Sequence, residues 1–424
     1  MYLLLLAFSL PSWLGFLSNN DVAPVVDQTA VIEIFAPLQR AAYFDQELSF
    51  WSSKLAQAPN QLSYHFKLAG LYNERFAAYG QIDDLCQAES LLQYGLQYAS
   101  IQRPAFLRAL ARTYISQHRF QEAYALVTEA LAIGENPRAN SLIQYDVLME
   151  LGRYQEAEQV LAKIYQQGGF QYLIRKAKWE DHQGNLDFAI AMLEEAKANL
   201  NAQDQEQAIW LYSNLGDFYG HHGEVAKAYT HYLMTLQLDP TNWYAIKGMA
   251  WIAYAHDGNI PLAKTLLQTI MRTNDTPDLH LRLAELYAYE GDAGCAEAET
   301  AAFLATAQAL AYGRMYSGPI SEILVATGQG TTALAMATKE VEQRATPTTY
   351  DMLAWVHFKT GNLATAQAIA QQHVIGQTHE PVAQLHLLDI FADDAEMAKT
   401  LRAELATARF ELGPLTYQQI KREK

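Results

Sequence analysis

The sequence predicts an all-α chain built as a solenoid of stacked helix-turn-helix units. Three observations predict it. Seven glycines are each followed five residues later by alanine: Gly152/Ala157, Gly184/Ala189, Gly223/Ala228, Gly258/Ala263, Gly291/Ala296, Gly328/Ala333 and Gly361/Ala366. Their spacings are 32, 39, 35, 33, 37 and 33 residues, which is the period of a repeat array. Apolar residues recur at helical spacing on both sides of each glycine, as at Tyr212, Leu215, Gly216 and Tyr219 before Gly223 and Ala228, Tyr232 and Leu236 after it.

Each element has a local reason. The glycine supplies the left-handed turn that ends a first helix. The alanine is small where the second helix crosses the first. An aromatic residue fills the space beside it. One hairpin cannot bury its own apolar face, so neighbouring hairpins must stack to make a core.

These residues resemble the tetratricopeptide-repeat family. The unit around Gly223 carries the whole pattern: Trp210, Leu215, Gly216, Tyr219, Gly223, Ala228, Tyr232, Leu236 and Pro240. Leu283, Ala284, Tyr287 and Ala296 repeat it around Gly291, and Leu353, Ala354 and Ala366 around Gly361. An earlier unit lacks the glycine: Leu110, Ala111, Tyr114, Phe120, Ala123, Ala130 and Pro137, with His118 at the turn. Before it, Leu68, Ala69, Tyr72, Ala88, Leu92 and Leu96 form a unit with seven extra residues, expected to extend the hairpin near residues 79–84. Pro319 falls where the first helix of the Gly328 unit should run, so that unit is degenerate. A last degenerate unit covers about residues 381–410. The resemblance implies a right-handed α-solenoid of about 9–10 units over residues 60–410. Trp51, Leu55 and Pro59 read as the back half of one more unit, so residues 29–59 are expected to cap the N-terminal end. Residues 411–424, ending KREK, read as a short polar tail.

The N-terminus stands apart. Residues 2–17 carry no charge, and the first basic residue is Arg40. That run fits the apolar core of a signal peptide and is short for a spanning helix. Residues 1–20 are therefore expected to be a signal peptide or membrane anchor, placing the chain outside the cytoplasm or tethered to a membrane. A buried N-terminal helix in a cytoplasmic protein is the alternative.

Composition narrows the chemistry. With 30 basic and 46 acidic residues the net charge is −16, which argues against a broad nucleic-acid footprint. Cys86 and Cys295 cannot build a disulfide framework or a cysteine metal site. There is no GxxxxGK[ST] loop, no HExxH helix and no GxSxG elbow. GQGTT at residues 328–332 falls on a repeat turn. Asp83 with Asp84, Glu194 with Glu195 and Asp393 with Asp394 read as solvated faces. Asn274, Asp275 and Thr276 form one glycosylation sequon. His182, His221 and His256 each precede a turn glycine by two residues, with His222 alongside. Imidazole at a helix C-terminus is favoured by the helix dipole, so no metal or cofactor is expected there.

The resemblance also implies that the first helix of each unit lines a concave groove that binds partner peptides or helices. The inward positions are Arg108 and Arg112, Asp146, Arg175 and Lys178, Asn214 and Asp217, Lys247 and Trp251, Arg282 and Glu285, and Trp355. Arg and Trp are frequent interface anchors. The chaperone-tail clamp of this family is not matched, because Arg112 and Ile143 stand where it has asparagines and Gln171 where it has a lysine. The expected function is a non-catalytic protein-protein scaffold with protein or peptide partners, no nucleic acid, and a membrane tether through residues 2–17 as an option. The alternatives are a membrane-anchored component of an envelope assembly or secretion complex, and a binding subunit of an enzyme using the histidine edge.

Overall fold

The computed structural model describes residues 23–422, apart from residues 35–37, 166–167 and 202. The expected leader or anchor, residues 1–20, lies outside the described residues. Among the described residues there are 23 α-helices and no strand, and no helix is long and apolar enough to cross a membrane.

Two helices, α1 (Gln28–Ile34) and α2 (Leu38–Gln57), precede ten hairpins. The hairpins are α3 (Leu62–Tyr79) with α4 (Ile82–Tyr98), α5 (Arg103–Ser116) with α6 (Phe120–Ile133), α7 (Pro137–Glu150) with α8 (Tyr154–Tyr165), and α9 (Phe170–His182) with α10 (Leu186–Ala198). Then come α11 (Gln205–His221) with α12 (Val225–Leu238), α13 (Trp243–Ala255) with α14 (Ile260–Met271), and α15 (Pro277–Glu290) with α16 (Ala293–Ala307). The last are α17 (Ser317–Ala326) with α18 (Gly330–Gln343), α19 (Pro347–Lys359) with α20 (Leu363–His373), and α21 (Pro381–Ile390) with α22 (Ala395–Thr407). A final helix, α23 (Arg409–Arg422), ends the array.

The repeat positions behave as their chemistry demands. All seven turn glycines have φ between 65° and 85°, and His118 takes the same turn at φ 57°. All seven alanines are 0–1% exposed, so a larger side chain there would push the paired helices apart. Pro319 opens α17 instead of breaking it, since a first-turn N–H has no partner inside the helix. The seven extra residues of the first unit form no long loop. They lengthen α3 to 18 residues, and Gly80 turns the chain directly into α4.

The solenoid comes round onto itself. Asn274 Nδ2 donates to the Ala78 carbonyl at 3.1 Å, and Gln121 Nε2 to the Gln343 carbonyl at 2.8 Å. Arg344 Nη1 meets Glu150 Oε2 at 3.3 Å. A Cβ on Gly152 would sit 2.3 Å from the Ala345 oxygen, so the two backbones touch. These contacts join residues about 190–220 positions apart, or roughly five to six units. Units roughly five to six apart therefore pack against each other through their turns and connections. Asn274 is 1% exposed inside this contact, which removes it as a glycosylation acceptor in the folded chain.

Of residues 29–59, expected as the N-terminal cap, α2 packs on α3 through Phe44, Leu48, Trp51 and Leu55. Residues 25–31 instead dock on the array's middle. The Val25 and Val26 amides each donate to the Asp257 carboxylate at 2.9 Å, and the Asp27 amide to Tyr229 Oη at 3.0 Å. Val26 and Val31 join the core of α9 to α15, which is the physical reason for the displacement. At the other end, residues 411–422 of the expected 411–424 tail are not free. The chain is helical to Arg422, and Leu412, Thr416 and Ile420 are buried.

Candidate functional site

Three consecutive first helices, α11, α13 and α15, form one wall. It borders a cavity of about 270 Å³ lined by Asp217, His221, Lys247, Trp251, Tyr254, Arg282 and Glu285, with Phe410, Glu411 and Leu412 also in the lining. Gly220 leaves room on α11 for the Phe410 ring, while the space beside Gly248 on α13 is taken by Tyr232.

The wall is preorganised. Tyr232 Oη donates to Asp217 Oδ1 at 2.6 Å, and Tyr244 Oη donates to Asp217 Oδ2. Burial pushes the Asp217 carboxyl up, although both hydroxyls oppose the shift. Lys247 Nζ bonds Asp278 Oδ2 at 2.9 Å and lies 4.7 Å from the Trp243 ring centroid. The Arg282 guanidinium lies 4.4 Å over Trp251 and 3.3 Å from Glu285 Oε2. Burial raises Glu285 to about 7, against the opposing pull of Arg282 and Tyr254. Its Oε1 is buried without a hydrogen-bond partner.

The C-terminal segment meets this wall through its main chain. Trp251 Nε1 donates to the Phe410 carbonyl at 3.0 Å, and the Leu415 amide donates to Tyr254 Oη at 3.1 Å. Glu411 Oε1 accepts from His221 Nδ1 at 3.0 Å. Burial alone would lower the His221 pKa, but the hydrogen bond and charge of Glu411, with Asp217 and Asp181 behind, raise it to about 9. A histidine with a raised folded pKa stabilises fully below about 6.5 and loses that stabilisation as pH rises through about 9. Wild type is therefore expected to unfold at a higher temperature than Glu411→Gln at pH 7, with the gap closing toward pH 10. A gap that stays constant over that range would refute an ionic pair.

Of the twelve inward positions expected from the sequence, Asp217, Lys247, Trp251, Arg282 and Glu285 converge on this cavity. The expected basic groove segment is mostly internally paired. Arg108 bonds Glu135 at 3.1 Å, Arg175 bonds Asp146 at 2.6 Å, and Lys178 bonds Glu150 at 2.8 Å. Arg112 has no hydrogen-bond or ion-pair partner among the described residues, and burial lowers its pKa, with Arg108 and Arg175 adding to the effect. Asn214 donates back to the Trp210 carbonyl of its own helix. Trp355 lies elsewhere, 4% exposed and stacked on His386 at 4.1 Å. Sequence reasoning missed His221 as a cavity residue, Tyr254, and the whole of Phe410 to Leu415. The Gly413–Pro414 pair inside an otherwise helical stretch was the one available signal.

The histidine edge does not converge. His182 stacks on Tyr154, His222 bonds Asp187, and His256 bonds Asp257. Among the described residues no group of three or more His, Cys, Asp or Glu side chains is placed to hold a metal ion. Asp84 also departs from expectation. It is 1% exposed and accepts from Arg75 Nε at 2.9 Å, which makes it a structural ion pair between α3 and α4.

No protein-family model matches this sequence, and no curated protein matches it. Among solved structures, the chain is similar to the human IFIT1 dimer with PPP-AAAA at 13% identity, covering 83% of this chain and 95% of that one, with a TM-score of 0.46. It is similar to a tetratricopeptide repeat protein from Parabacteroides merdae at 16% identity, covering 56% and 94%, with a TM-score of 0.38. It is also similar to the Rap conjugation gene regulator of plasmid pLS20 in complex with the Phr* peptide, at 15% identity, covering 59% and 76%, with a TM-score of 0.44.

Proposed function

We propose that this helical-repeat solenoid of tetratricopeptide type is a non-catalytic scaffold that binds a peptide segment on the wall formed by α11, α13 and α15. One observation supports the reading above the others. Trp251 and Tyr254 each hold a main-chain group of the residue 410–415 segment, and a wall that bonds main chain can receive any segment able to adopt that path. The side chains around them suit anchoring: an aromatic pair, Trp251 with Tyr254 at 5.4 Å, backed by the Arg282 guanidinium. The charged groups here are committed to neighbours, which fits recognition better than proton transfer.

The test is selection of a random peptide library on the immobilised full chain. Enriched peptides are expected to lose at least tenfold in affinity on Trp251→Ala and to be unaffected by Arg112→Ala. Peptides that bind the Trp251→Ala chain as well as wild type would place the binding surface elsewhere.

A further inference from the structure

We propose that residues 409–415 are a resident occupant of this wall, standing in for a partner peptide with the same signature: an aromatic residue, then an acidic residue, leucine and glycine. The proposal rests on the peptide-binding reading above and specifies which peptide and how access to it is controlled.

Each position of the segment answers to something on the wall. Phe410 lies over Gly220, where an added Cβ would come within 3.2 Å of its ring, so the wall is recessed to admit an aromatic. Glu411 meets His221. Leu412 is 3% exposed. Gly413 is the most selective position. Its φ is 75°, and a Cβ there would sit 2.7 Å from Trp251 Cη2 and 2.9 Å from Glu285 Oε1. Both neighbours are held by their own partners, so only glycine fits without displacing the wall.

The attachment has the features of a removable occupant. Gly413 (φ 75°, ψ 163°) breaks α23, so residues 409–412 form a turn separate from the helix that follows. That following helix packs on α19 to α22 through Tyr417 and Ile420, and of the turn only Leu412 joins the same core, so release of the turn withdraws one side chain from it. The ion pair is partly open to water, with the His221 side chain 49% exposed. The resident segment also leaves Glu285 Oε1 without a donor. A partner that presents a donor at this point has an interaction that the resident lacks.

The tether sets the competition. A segment held close to its site acts at a local concentration on the order of millimolar. A free peptide of equal intrinsic affinity must overcome that concentration. The probe is a fluorescein-labelled synthetic peptide of residues 406–420, read by anisotropy against the full-length chain. Gly413→Val in the full chain dislodges the resident turn. This variant is expected to bind the probe about 100-fold more tightly than the intact chain. The probe carrying the same Gly413→Val change is expected to bind neither. Glu411→Lys, which sets a cation against His221, is a second way to release the turn should Gly413→Val not fold.

Equal binding to intact and released chains overturns the proposal, as does equal binding of the wild-type and valine probes. Concentration-dependent dimers of the intact chain that exchange this segment also overturn it, because the occupant would then be a second copy. Library peptides that bind the released chain through Trp251 while the probe does not would overturn the signature and leave the peptide-binding reading standing. Failure of every peptide to bind the released chain would overturn both.

Discussion

Replacing Tyr232 by alanine is expected to lower the unfolding free energy by about 3–5 kcal/mol, the range for removing a buried aromatic ring. The ring sits on α12 at 5% exposure and fills the space between two first helices. A Cβ added to either Gly216 or Gly248 would come within 2.4 Å of it. The two glycines and the tyrosine are thus one packing unit shared by consecutive hairpins. Alanine would leave a cavity that neither backbone can collapse into without breaking register. It would also leave the half-buried Asp217 carboxylate with the Tyr244 hydroxyl alone. In a repeat array the damage concentrates at the interface between neighbours. Hydrogen exchange should therefore accelerate first in α11 to α14. Tyr232→Phe keeps the ring and is expected to cost about 1–2 kcal/mol, the cost of leaving a half-buried acceptor short of one donor. A Tyr232→Ala loss below about 1 kcal/mol by urea unfolding would show that the glycine pair is not packed on this ring in solution.

The pattern that gives away the array is local, and for that reason it was readable. A turn that needs φ near +75° selects glycine, and a close helix crossing selects alanine, whatever the rest of the chain does. The closure of the solenoid has no such local marker. It accumulates from small angles over roughly five to six hairpins. Everything that depends on it was hidden. Glu150, paired with Lys178 of the next unit, already shows a neighbour contact that needs no closure. Arg344 then reaches Glu150 from the other side of the closure. Asn274 looked like a surface sequon until Ala78 closed over it. The C-terminal segment was hidden by composition. Its lysines, arginines and glutamates read as a tail, while Phe410, Leu412, Leu415 and Ile420 are spaced to face the wall and the last hairpins. Turn spacing puts Asp217, Lys247, Trp251, Arg282 and Glu285 on one face each of α11, α13 and α15, because a helix fixes which residues share a face, and these five line the cavity. Which of those faces would be covered depended on the closure.

Glu285 gives the second large effect, and its sign follows from burial. Its carboxyl is 3% exposed and has its pKa raised from 4.5 to about 7. The folded chain therefore holds a proton between those values that the unfolded chain has released. Stability from this group must fall as pH rises from about 4.5 to about 7 and stay low above that. A shift of that size corresponds to roughly 3 kcal/mol as an upper limit. Glu285→Gln removes the charge and keeps an oxygen for Arg282, whose guanidinium retains its place over Trp251. The variant is expected to match wild type near pH 4.5 and to exceed it by about 2–3 kcal/mol at pH 8, read from urea unfolding at each pH. His221 does not confound the comparison, since the stabilisation it loses between about pH 6.5 and 9 is common to wild type and variant. A variant less stable than wild type at pH 8 would mean that the ionised Glu285 with Arg282 is a net stabilising pair. In that case its unbonded oxygen costs the fold little, and a partner peptide would gain little by bonding it.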